Sequence, residues 1–323
     1  SLSRPYPFCL AAPLEADPGT LGEPAAWLAE WKWDGIRSQL VHRGGETFLW
    51  SRGEELIGER FPEIVGIAAY LPDRVVLDGE ILPWNEAGIL PFAQLQRRLG
   101  RKRIGKKLLA EVPLVLLAFD LLETDGVDVR SQPIEQRQTQ LKKLVTHARQ
   151  SGSERLMLPP AVESGSWQRL AAERERSSEF RAEGLMLKRR GSAYQVNRPV
   201  GDWWKWKVEP MTVDAVLIYA QRGHGRRASL YTDYTFALWQ GDKLVPFAKA
   251  YSGLTDAEIR KVDRFVRTNT NDVFGPVRSV TPQLVMVLAF EGLQRSKRHK
   301  SGIATRFPRI LRWRHAKKHF RVF

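Results

Sequence analysis

Runs rich in aromatic and β-branched residues recur at 27–41, 46–51, 74–82, 113–122, 184–189 and 203–208. That is the composition of strands packed on a half-buried pleated surface. Helical periodicity is clear at 133–150, "PIEQRQTQLKKLVTHARQ", where Pro133 suits a first turn, and a second candidate helix covers 165–180. Strands that do not alternate regularly with helices argue for an α+β fold, with antiparallel sheets and flanking helices, and against a doubly wound sheet.

After "KVEP" at 207–210 the character of the chain changes. Strand-like segments at 212–220, 229–239 and 244–251 follow in quick succession, then a helix at 255–268, then strands near 284–290 and 303–312. Five short strands with one helix predict a small Greek-key β-barrel of the oligonucleotide-binding (OB) type. The boundary falls near Pro210, dividing 323 residues into domains 1–209 and 210–323.

Charge divides at the same place. Of a net +15, residues 210–323 hold 21 Lys and Arg against 8 Asp and Glu, while residues 1–209 hold 30 against 28. Such asymmetry predicts that the last third meets a polyanion. A nucleic acid ranks ahead of an anionic membrane, since no long basic amphipathic helix is evident. No apolar run reaches the ~18 residues of a membrane-spanning helix. The proline-broken start makes a poor signal peptide, and Ser1 in place of Met hints at a trimmed chain. Cys9 is the single cysteine, which rules out an internal disulfide and suits a reducing cytoplasm.

Two glycine motifs are set aside. "GRKRIGKK" at 100–107 has phosphate-loop spacing, but Lys107 stands where Ser or Thr should bind the metal and no buried strand feeds it. "GHGRRA" at 223–228 runs into another strand, so no helix N-terminus faces a pyrophosphate. Both read as basic turns. The seven cations of 97–107 sit beside Leu95, Leu99, Ile104 and Leu108, so an element packed by its apolar side could present them to DNA phosphates.

The stretch "EWKWDGIRSQL" at 30–40 sets Lys32 between two tryptophans and before an Asp-Gly pair. Alone, it reads as a strand entering a hairpin turn. It does not stand alone: "KWDGIR" (32–37), "SRGEE" (51–55), "LDGEIL" (77–82), "AFDLLE" (118–123), "EGLMLK" (183–188), "WWKWK" (203–207) and "RFPRILRWR" (306–314) follow in order. This series resembles the nucleotidyltransferase motifs of ATP-dependent DNA ligases, most closely the bacterial ones, from about Pro7 to Lys317.

The resemblance implies an adenylation domain over 1–209, an OB domain over 210–323, and a Lys32 that becomes adenylylated. An amine attacks phosphorus only when unprotonated, and free lysine titrates at about 10.4. Arg37, Lys188, Lys205 and Lys207 could supply a positive field that favours the neutral amine and stabilises charge on the phosphate in the transition state. Glu80 and Glu183 are expected to hold or orient Mg²⁺ or Mn²⁺, hard ions that take oxygen ligands. By the same resemblance Glu30 and Trp31 read the adenine, Arg37 and Arg52 reach ribose and phosphate, and Phe119 and Met186 sandwich the base. Asp34 matches an aspartate of the later steps. Asp78 and Asp120 read equally well as turn residues. Arg306, Arg309, Arg312 and Arg314 resemble the arginines that swing over the nucleotide. The family pattern there continues Arg-x-Asp-Lys, whereas this chain has Ala316 before Lys317. His315 and His319, with no acid or cysteine nearby, read as a solvated basic tail.

The expected activity is the sealing of nicks in duplex DNA in three steps. ATP gives a lysyl-AMP, AMP passes to the 5′-phosphate, and the 3′-hydroxyl displaces it. A bacterial, cytoplasmic, nucleoid-associated monomer is implied. Many relatives carry a further N-terminal helical DNA-binding domain with no counterpart here, which suggests a catalytic core served by a separate domain or partner protein. RNA ligase, capping guanylyltransferase and a non-catalytic nucleic-acid-binding relative are the alternatives.

Overall fold

The computed structural model describes residues 2–314 apart from 100, 102–103, 164 and 198–199. The chain divides into two compact units, Ser1–Val208 and Glu209–Phe323.

Seven strands carry the first unit's site: β1 (Trp27–Trp33), β2 (Ile36–Arg43), β3 (Glu46–Ser51), β4 (Val75–Asn85), β5 (Leu114–Thr124), β6 (Ala182–Arg189) and β7 (Trp203–Lys207). They form two antiparallel arrays, β3-β2-β4-β5 and β7-β6-β1. The sequence pattern predicts one strand over 27–41. The structure instead breaks it at Asp34-Gly35, which carries the chain from one sheet to the other rather than closing a hairpin. Glycine is required there. A Cβ on Gly35 would stand 2.3 Å from Ile81 O and 2.6 Å from Leu82 Cδ2, so the crossover is pressed against β4.

Alternation along β1 turns Trp27, Ala29, Trp31 and Trp33 into a core shared with Leu82, Val115 and Leu117 of the other sheet. A second core, including Cys9, Val41, Val76, Leu122, Tyr194 and Trp203, joins the two sheets elsewhere. The helix expected at 133–150 spans Ile134–Gln150, with Pro133 at its N-cap. It buries Ile134, Leu141, Val145 and Ala148 at helical spacing, and also Arg137, whose guanidinium forks onto buried Asp120 at 2.8 and 3.0 Å. The 165–180 segment is helical over Trp167–Glu175 and continues as a 3₁₀ turn. Helices Phe92–Leu99 and Lys106–Glu111 carry Arg97, Arg98, Lys106 and Lys107 of the basic stretch, and Arg101 lies exposed between them. Arg98 is spent internally, buried against Glu63, so it is not available to phosphates.

In the second unit one long strand, Met211–Arg222, pairs with Tyr231–Gln240 on one side. On its other side it pairs with Val285–Phe290 along its first half and with Val277–Val280 near its end. Sharing one strand among three partners forces the sheet to curl. Arg309–Trp313 extends the curl, and Ile310 N–H donates to Ser252 O at 2.9 Å. Gly253 (φ +107°) permits that approach, because a Cβ there would stand 1.7 Å from Ile310 O. The helix Asp256–Thr268 starts with a Thr255/Glu258 capping box and buries Ile259, Val262 and Val266. Strands Thr270–Phe274 and Gly292–Arg295 escape the sequence reading because each is largely exposed and carries too few apolar residues to alternate. The strand expected over 303–312 is split at Phe307, whose φ is +48°, and Pro308.

Candidate active site

Strand alternation places Glu30 and Lys32 on the side of β1 opposite Trp31. Trp31 is buried and stacks on Phe180 at 4.5 Å, so its ring belongs to the core and not to the side that carries Lys32. The expected base-reading role of that ring does not fit this placement. Glu30 lies opposite Met186 of β6, and Met186 lies opposite Lys205 of β7, a row of three across the sheet.

Lys32 Nζ donates to Glu183 Oε2 at 2.6 Å, and Lys207 Nζ stands 3.5 Å from the same oxygen. Plain alternation from core-facing Leu185 would send Glu183 to the core. A register shift between Ala182 and Leu185, made at Gly184 (φ +140°), turns it toward Lys32 instead. A Cβ on Gly184 would stand 2.3 Å from Trp206 O, so only glycine admits this bulge. Lys188 is buried and donates to Glu30 Oε2 at 2.6 Å, while Gln138 Nε2 donates to Glu30 Oε1 at 2.7 Å.

The other sheet contributes Arg37 and Glu80, paired in register across β2 and β4. Arg37 is held by Asp78 (2.8 and 3.2 Å), by Cys9 O (2.6 Å) and by the rings of Phe8, Phe119 and Trp203. Burial opposes its charge, but Asp78 overrides that cost and drives the guanidinium further toward the protonated form. Asp78 also accepts from Tyr194 OH at 2.6 Å. Gly35 N–H donates to Glu80 Oε1 at 3.1 Å. The Glu80 carboxyl is pushed up to about 8, chiefly by loss of hydration, with Lys32 and Arg37 pulling it down and Asp78 and Asp34 adding to the rise.

The open positions along these strands mark the site. In β4, Glu80 is the single residue between 75 and 83 that is not buried, and in β5 Phe119 holds that place between 114 and 123. Met186 is flanked by buried residues in the same way. A half-accessible aromatic ring, a thioether, an amine and a carboxyl on otherwise buried strands form a recess suited to a flat ring with a charged tail. Lys188 Nζ lies 4.3 Å from the Phe119 centroid, at the base of that recess.

Among the described residues no group of three or more His, Cys, Asp or Glu is spaced to cage a metal. Glu80 and Glu183 nonetheless fit Mg²⁺, which is commonly held by one or two carboxylates and completed by substrate phosphates. Both act on the same amine: Glu183 binds Lys32 directly and Glu80 feels its charge. Arg52 is exposed, and its backbone N–H donates to Arg37 O at 3.1 Å. Arg309 pairs with Glu291 and Arg314 with Asp214 within the second unit, where Arg312 is exposed. His315, Ala316, Lys317 and His319 lie outside the described residues. Sequence reasoning missed Tyr194, Gln138 and Phe8, which carry no local signature, and left Trp203 and Asp78 without a role although both lie inside quoted motifs.

Comparison with known proteins matches residues 9–207 to the ATP dependent DNA ligase domain and residues 227–317 to the ATP dependent DNA ligase C terminal region. A probable DNA ligase of Koribacter versatilis is 36% identical over 97% of this chain, and one of Opitutus terrae 37% over 89%. Among solved structures, the ligase domain of M. tuberculosis LigD superposes over 97% of this chain and 96% of its own, with a TM-score of 0.52 at 22% identity. A Lig E DNA ligase superposes over 96% of this chain and all of its own, with a TM-score of 0.62 at 18% identity. The chain spans 58% of the Koribacter relative and 31% of the Opitutus one.

Proposed function

The chain belongs to the ATP-dependent DNA ligase family, and from that premise we propose that it seals nicks in duplex DNA through an AMP carried on Lys32. Residues 1–209 serve as the adenylation domain and 210–323 as the OB domain. One observation supports this reading: Lys32 Nζ and Lys207 Nζ both reach Glu183 Oε2 on one sheet, while on the other Arg37 lies opposite Glu80, whose carboxyl feels the charge of Lys32.

Phe119 and Met186 offer the two apolar surfaces for a base, and Glu30, fixed by Lys188 and Gln138, offers an acceptor at its edge. Lys32 attacks the α-phosphorus: an N–P bond forms, the bond to the pyrophosphate oxygen breaks, and pyrophosphate leaves. Glu183 Oε2, 2.6 Å away, is the acceptor within reach for the proton that Lys32 sheds. Lys205, Lys207 and Arg37 stabilise the charge that builds on the phosphate oxygens. Glu80 and Glu183 would hold a divalent ion, which would supply further neutralisation of that charge. Asp34, in the crossover beside Glu80, serves the later transfer to the 5′-phosphate and the attack by the 3′-hydroxyl.

No helix among the described residues is long and apolar enough to cross a membrane. A bacterial cytoplasmic monomer working at the nucleoid, aided by a DNA-binding domain or partner beyond this chain, fits the basic second unit. Incubation with ATP and Mg²⁺ should add the mass of one AMP, and Lys32→Ala should abolish the adduct while the fold persists. Label from GTP alone, or label that persists in Lys32→Ala, overturns the reading. Nicked DNA offered beside nicked RNA decides the acceptor.

A further inference from the structure

We propose that the hairpin Gly292–Arg306 is a grip on the phosphate backbone of duplex DNA, an extension of the nick-sealing reading on which it rests. Gly292–Arg295 and Ile303–Arg306 pair antiparallel as a two-stranded ribbon separate from the curled sheet. Their loop, "SKRHKSG", is built by its own hydrogen bonds. Ser296 N–H donates to Gly302 O at 2.8 Å, Gly302 N–H donates to His299 O at 2.9 Å, and Ser296 Oγ lies 2.7 Å from His299 Nδ1. Gly302 closes the turn at φ +74°.

This ordered loop presents Arg295, Lys297, Arg298 and Lys300, all exposed, and the whole hairpin contains no Asp or Glu. Four arginines elsewhere in this unit are paired with acids: Arg227 with Asp256, Arg267 with Asp263, Arg309 with Glu291 and Arg314 with Asp214. Four like charges within six residues lie inside one Debye length of about 8–10 Å, where they repel. Folding gains nothing from that repulsion, whereas a phosphate backbone relieves it and releases counterions. Long basic side chains at a ribbon tip, with no Asn, Gln, Phe, Tyr or Trp between Arg295 and Lys300 and with the His299 ring engaged by Ser296, suit phosphates rather than base edges.

The test compares the full chain with a variant carrying Arg295→Ser, Lys297→Ser, Arg298→Ser and Lys300→Ser, in which Ser296 and His299 still close the loop. Binding to nicked duplex is measured from 50 to 200 mM salt, alongside Lys32 adenylylation. Four phosphate contacts correspond to a salt slope shallower by about 3–4, so the wild type should lose about 100-fold more affinity than the variant over that range. Adenylylation should be unchanged, and Arg295→Lys with Arg298→Lys should keep the slope. A variant with wild-type affinity and slope overturns the grip and leaves nick sealing standing. A loss that depends on DNA sequence also overturns it, since that is base readout. A wild type that binds no nicked duplex overturns both readings together.

Discussion

At Glu80 stability and the proposed function stand in opposition. Its carboxyl is pushed up to about 8, first by lost hydration, so the folded chain keeps a proton that the unfolded chain releases near 4.5. Between those values the folded state binds more protons, and stability falls as pH rises, fully so above about 8. Glu80→Gln is therefore expected to raise the thermal midpoint of the nucleotide-free protein at pH 8–9. The gain should vanish below about pH 4.5, and adenylylation should be lost throughout. Thermal unfolding scanned against pH checks this, and an equal gain at acid pH would contradict it. Asp78 carries the opposite logic. It is fully buried and holds the Arg37 guanidinium, so Asp78→Asn leaves a buried charge uncompensated. A loss of about 3–5 kcal/mol is expected in urea titration.

At the scale of elements, two glycines decide where the carboxylates of the candidate site point. Gly184 makes the bulge that turns Glu183 to Lys32, and Gly35 lets the β1–β2 crossover lie against β4 while its N–H holds Glu80. Gly35→Ala is expected to lower stability by about 1–3 kcal/mol through overpacking. It should also slow lysyl-AMP formation, because the displaced segment directly follows Lys32. Urea titration and a single-turnover adenylylation rate measure the two effects, and a normal rate would show that the crossover does not position the amine. Strand periods were legible in the sequence here, and the bulges were not. A bulge depends on which partner strand arrives, and β6 meets β1 from about 150 residues away.

Across the molecule, each hydrophobic core cluster among the described residues lies within one unit: three in Ser1–Val208 and one in Glu209–Phe323. A fragment of residues 1–208 is accordingly expected to unfold cooperatively on its own in denaturant, followed by tryptophan fluorescence. A non-cooperative, dye-binding fragment would contradict that. Most of the net positive charge falls in residues 210–323, so the main electrostatic attraction for a polyanion arises in the second unit.

The sequence by itself determined the two-part organisation, the strand and helix periods, the basic last third and the identity of the ordered motifs. Each of these is written in residues close together along the chain. Only the tertiary structure decided which acid meets which cation: Glu183 with Lys32, Glu30 with Lys188, Asp78 with Arg37. It also removed the Trp31 ring from the site and brought in Tyr194 and Gln138. The physical reason is register. A one-residue slip or bulge sends a side chain to the other face of its sheet, and register is set by strands that meet only once the chain has folded.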